Sequence, residues 1–191
     1  MAVAAAVAEA FNPKATVDSI IDASKAYLPK RSEVLIGIEY AMKLAHYTKD
    51  YIKFRELYYK GLEAEIGEPI ADPRPIIPLE ARYGSKRYTI DPRETVPVAL
   101  AIFWLAEGDP VETFINCANF GRDSDTIGNI VGSIAGAFKG ADAFPQDWVD
   151  TVQKVNQPDQ IELSRQQYYI ITKMMQQSEE RLQTLKNNLI G

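Results

Sequence analysis

The chain has 191 residues, with 21 Lys and Arg against 26 Asp and Glu for a net charge of −5, and holds one His and one Cys. At about 100–200 residues per domain this is one domain, able to bury a core without disulfides or zinc, and a lone Cys117 fits a reducing, cytoplasmic interior. Dispersed positive charge argues against nucleic acid as a partner, and neither a signal peptide nor an 18-residue apolar run for a membrane span is found.

Apolar residues recur at three- and four-residue intervals, which predicts an all-α fold. An Ala-rich helix over 2–11 ends at Asn12-Pro13. Thr16 caps a second helix to about Tyr27, and Ser32 caps a third with Leu35, Ile38, Met42 and Ala45 on one side. Asp50 opens a fourth that turns Phe54, Leu57, Tyr58 and Leu62 inward and stops at Gly67. From Glu68 to Arg93, Pro69, Pro73, Pro75, Pro78 and Pro92 with Gly84 predict a long loop.

A helix is predicted from about Glu94 to Glu107, with Pro97 in its first turn and Gly108 at its end. Asp109-Pro110 then has the cap-then-proline order of a helix running to about Asn119. After a break at Phe120-Gly121-Arg122 another helix spans Asp125 to Lys139. Pro145 opens a short one bearing Trp148, and Asp159 or Ser164 opens a long amphipathic one with Ile161, Tyr168, Ile171, Met175, Leu182 and Leu185 on a stripe that needs a partner helix. With no tandem repeat, coiled-coil heptad run or linker, residues 1–191 read as a single helical domain.

The octet Gly121-Arg122-Asp123-Ser124-Asp125-Thr126-Ile127-Gly128 holds the chemistry. Two carboxylates and a hydroxyl within one turn are oxygen donors of the kind Mg²⁺, Mn²⁺ or Ca²⁺ accept. The alternative is that Asp123 or Asp125 simply caps the following helix. An EF-hand is excluded, since counting from Asp123 puts Ile127 at position five and Ile134 at position twelve. In that helix Gly128, Gly132, Gly136 and Gly140 recur every fourth residue. Each interior Gly costs about 1 kcal/mol against Ala, so the face is read as one that another helix backbone, or a ligand, approaches closely.

The runs Glu94 to Phe103, Ala118 to Gly128 and Gly132 to Ala137 together resemble the C-terminal signature of the ADP-ribosylglycohydrolase family. That resemblance implies an all-helical domain, a compact multi-helix orthogonal bundle, whose binuclear Mg²⁺ or Mn²⁺ site binds ADP-ribose and cleaves its bond to a modified protein side chain. It implies Asp123, Asp125 and Thr126 as metal ligands. Gly121, Arg122 and Ser124 would form a substrate-binding turn, Gly121 and Ser124 aiming the ligands. Arg122 stands where many members have Gly, and is read either as a contact to a diphosphate or as an exposed residue with no role. The family's N-terminal Thr-Asp-Asp motif has no counterpart, for the sequence contains no Asp-Asp pair. The chain is therefore expected to be the C-terminal half or two thirds of such a domain, its site completed by an N-terminal half, on another chain if the enzyme is split.

No catalytic acid is identified. Asp72, Glu80, Asp91 and Glu94 are further candidate ligands, with surface placement the expected fate of such residues. His46 is read as having a structural or solvent role, Cys117 as a small buried apolar residue, and Tyr58-Tyr59 and Tyr168-Tyr169 as core or interface aromatics. A non-catalytic helical module that binds ADP-ribose, a metal or a protein partner is the alternative to a hydrolase.

Overall fold

The computed structural model describes residues 1–58 and 91–190. The expected helix limit at Leu62 and Gly67, the loop over 68–90 with Asp72 and Glu80, and Tyr59 lie outside the described residues. Those described are all-helical, with no strand. None of their helices is long and apolar enough to cross a membrane.

Residues 1–144 form one compact unit. It contains α1 (Ala2–Ala10), α2 (Val17–Ala26), α3 (Glu33–Thr48), α4 (Tyr51–Tyr58), α5 (Pro92–Leu105), α6 (Pro110–Phe120), α7 (Ser124–Lys139) and a 3₁₀ turn at Ala141–Ala143. Capping chemistry sets several starts. Thr16 and Ser19 form a reciprocal capping box at 3.1 and 2.9 Å. Asp50 accepts from the Lys53 N–H at 2.8 Å, and Asp109 from that of Glu112 at 2.8 Å. Ser32 stands at the N-cap of α3 without a capping bond from its side chain.

The start of α5 corrects the sequence reading. Asp91 caps the helix through the Arg93 N–H at 2.9 Å and Pro92 is its first residue, so the helix begins inside the proline-rich segment. The order Asp91-Pro92 is the same start signal as Asp109-Pro110, masked by the prolines before it. Pro97 consequently lies beyond the first turn, where its missing N–H leaves the Arg93 carbonyl without the usual helical donor.

Every residue of α5 from Glu94 to Phe103 is buried. A helix apolar around its whole circumference must be enclosed, and α3, α7, α6 and α2 pack around it. Tyr58, Phe54, Phe103, Ile38, Leu44 and Ile127 are among the largest fully buried side chains of this core. Leu35 is half-buried, while Ile38, Met42 and Ala45 are buried as expected.

Residues 145–191 form the second unit, with α8 (Gln146–Val155) and α9 (Gln160–Ile190). Asp159 opens α9 by accepting from the Ile161 N–H at 2.9 Å. No residue between 145 and 189 is buried.

Candidate metal centre

The chain leaves α6 through Gly121, at φ 79° and ψ −153°, and Arg122, at φ 55°. The first conformation is essentially confined to glycine, so the backbone itself demands Gly121. These two residues deliver Asp123 to the N-cap of α7, with Ser124, Asp125 and Thr126 in the first turn.

An N-cap Asp ordinarily turns a carboxylate oxygen onto an N–H of the first turn. Asp123 does not. Its carbonyl accepts the first helical bond, from Ile127 N–H at 3.0 Å, but its side chain makes no capping bond. Its Oδ2 is buried with no hydrogen-bond partner among the described residues. A buried polar oxygen without a donor costs at least about 1–3 kcal/mol, and more when charged. A divalent cation would remove that cost, so the donor set of the turn fits a hard metal ion. Asp125 is exposed and Thr126 half-buried beside it.

Cys117, buried on α6, donates its thiol to the Ser124 carbonyl at 3.2 Å. Burial pushes that thiol up to about 11, with the Asp125 charge adding to the effect. The thiolate nucleophile is thereby disfavoured, as expected for a structural cysteine.

Arg122 turns inward, its Nε donating to Glu94 Oε1 at 2.8 Å, with the two side chains 19% and 4% exposed. This corrects the expectation of an exposed arginine. Asp91 and Glu94 are likewise buried, not on the surface. Both are engaged by cations, Glu94 by Arg122 and Asp91 by Arg93, which reaches Asp91 Oδ2 at 2.7 Å and also Glu33 at 3.0 Å. Among the described residues no three His, Cys, Asp or Glu side chains gather as a metal-binding group.

The model of the ADP-ribosylglycohydrolase family matches residues 1–180. The chain belongs to this family. The uncharacterized protein YegU of Escherichia coli (strain K12) is 41% identical over 66 residues, covering 35% of this chain and 20% of that relative. No solved structure matches.

In this member of the ADP-ribosylglycohydrolase family the residue that the sequence reading undervalued is Glu94. Its signal was available: a lone carboxylate followed by twelve uncharged residues, Thr95 to Ala106, is a charge carried into a core and requires a cation. A cleft of about 690 Å³, lined in part by Glu107, Asp109, Glu112 and Lys139, lies at the other end of the α6 and α7 pair and takes in none of the octet. His46 is exposed and stands edge-on to Trp104, ring centroids 4.2 Å apart, in keeping with a structural or solvent role.

Proposed function

We propose that this member of the ADP-ribosylglycohydrolase family is a Mg²⁺- or Mn²⁺-dependent hydrolase that removes ADP-ribose from a modified protein side chain. The observation that supports it is the buried, unpartnered Oδ2 of Asp123 at the head of α7. Asp123, Asp125 and Thr126 would hold the metal. Bound there, a divalent ion would supply a Lewis acid that lowers the pKa of a water for attack on the anomeric carbon.

The chain's own residues do the positioning. Gly121 sets the turn, and Ser124 starts the helix that carries Asp125 and Thr126. Arg122, tied to Glu94, fixes the approach to Asp123 against α5, and we assign it this role in place of a phosphate contact. Three oxygens are half of the roughly six that Mg²⁺ takes. We therefore assign the remaining ligands of a binuclear site to water and to a chain that carries a Thr-Asp-Asp motif.

Calorimetry with Mg²⁺ and Mn²⁺ tests this reading. The expected dissociation constant for this chain alone is weak, on the order of 10⁻⁴ to 10⁻³ M, and the heat disappears in the Asp123→Ala, Asp125→Ala double variant. Equal binding by parent and variant refutes the ligand assignment. In parallel, the isolated chain is expected to release little ADP-ribose from modified arginine or serine peptides. Robust release that Asp125→Asn abolishes would show a complete site in this chain, and metal binding without release under any complementation would leave the non-catalytic module.

A further inference from the structure

One face of α9 carries Ile161, Tyr168, Met175, Leu182 and Leu189 at seven-residue spacing, each between 43% and 84% exposed. Ile171 and Leu185 stand on the same seam, three residues after Tyr168 and Leu182. The corresponding positions after Ile161 and Met175 are Ser164 and Ser178. Those serines hide a heptad from a search for apolar runs, and the expectation of no heptad pattern is corrected here. A helix of 31 residues is about 46 Å long, and no residue of it from 160 to 189 is buried. Stability of so long an amphipathic helix comes from covering its seam.

The charges beside the seam select the cover. In a parallel, in-register pair of identical helices, Arg181 meets the partner's Lys186 on both sides, which is repulsive. In an antiparallel pair centred on Lys173, Arg165 meets the partner's Glu179, and symmetry repeats that attraction at the other end. The same register sets Ile161 against the partner's Leu185 and Met175 against the partner's Ile171. A slip of one heptad toward the C-terminus puts Arg165 against the partner's Lys186 instead. Only one of these arrangements combines an apolar seam with opposite charges along it, and as a two-fold pairing it closes on itself.

We propose that α9 pairs with α9 of a second copy of this chain as an antiparallel two-stranded coiled coil centred on Lys173. The contact runs over residues 160–186, about 40 Å at the helical rise. It does not depend on the metal-binding reading of the turn before α7.

Sedimentation of the full chain from about 1 to about 100 µM tests the proposal, with a dimer as the expected species. Arg165→Glu brings two carboxylates face to face at both ends and is expected to weaken the dimer on the order of tenfold. Glu179→Arg does the same with two cations. Combining the two substitutions reverses both charges and is expected to restore the parent dissociation constant to within about threefold. Both side chains are exposed, and far-ultraviolet circular dichroism checks that each variant keeps its helix. A monomer throughout, a dimer indifferent to the single substitutions, or a double variant no tighter than the singles overturns the pairing. The last outcome would also result from a parallel dimer, in which Arg165 and Glu179 never meet.

Discussion

Arg122 holds a left-handed backbone, φ 55°, that a non-glycine residue adopts at a cost of about 1–2 kcal/mol. Gly at this place, the alternative that the family resemblance brings, carries no such penalty. What favours Arg in this chain is the hydrogen-bonded ion pair with Glu94, 28 residues away in sequence. The two effects separate by mutation. Arg122→Gly loses the pair but relaxes the backbone, and is expected to lower stability by about 2–4 kcal/mol. Arg122→Ala loses the pair and keeps the strain, falling about 1 kcal/mol further. Urea melts at constant slope rank the three proteins, and an Ala variant at or above the Gly variant would remove the backbone from the explanation. The octet stood out in the sequence because oxygen donors at a helix start are a local pattern. Its arginine did not, because the partner and the dihedral angle are fixed by tertiary structure.

At the scale of the element, the glycine face of α7 proves to be a seat for rings. A Cβ on Gly132 would stand 2.8 Å from Cζ of Phe114 on α6, whereas one on Gly128 would meet the Cys117 sulfur at 3.6 Å, an ordinary van der Waals contact. Phe114 in turn stands edge-on to Phe144, centroids 5.8 Å apart. The expected approach of a neighbouring helix backbone is thus replaced by an aromatic side chain, and Gly140 has left the helix as its C-cap at φ 81°. Gly136, with Phe144 at 3.9 Å, is nearly open.

Helix propensity favours Ala over Gly by about 1 kcal/mol, while displacing a packed ring costs about 1–3 kcal/mol. Gly132→Ala is therefore expected to lower stability by about 1 kcal/mol net, and Gly136→Ala to raise it by up to about 1 kcal/mol. A rise in both, measured by urea melts, would mean that the Phe114 ring yields freely. The helix itself was legible from its caps and spacing. Which side chain its glycines receive depends on how α6 crosses it, and no local pattern encodes that.

For the whole molecule, burial of titratable groups couples the fold to alkaline pH. Burial raises Tyr51 from 10.0 to about 12 and Cys117 from 9.0 to about 11. Both are raised, so the folded chain retains protons that the unfolded chain releases. Their contribution to stability is complete below about pH 9 and is lost as pH climbs through about 11 to 12. The urea midpoint is expected to fall between pH about 8 and about 11, and to fall less steeply in Tyr51→Phe and in Cys117→Ala. A slope unchanged in both variants would place the alkaline sensitivity elsewhere. The all-helical character was plain in the sequence because caps, prolines and apolar spacing agree. The enclosure of α5 was only implied, and the cover for α9 was hidden because two serines interrupt its seam.

The enclosure of α5 has a second face in the unfolded chain. Thr95 to Ala106 carries no charge, and after Pro97 the stretch Val98-Ala99-Leu100-Ala101-Ile102-Phe103-Trp104 has no residue that resists strand pairing with a second molecule. Arg93, Glu94 and Glu107 flank it as gatekeepers, yet none interrupts it. The best-protected helix of the native protein is thus the most adhesive segment of the denatured one. Each opening of the core becomes a chance for irreversible association, and survival under heat is set by how rarely the chain opens, a rate, more than by how far the equilibrium favours the fold.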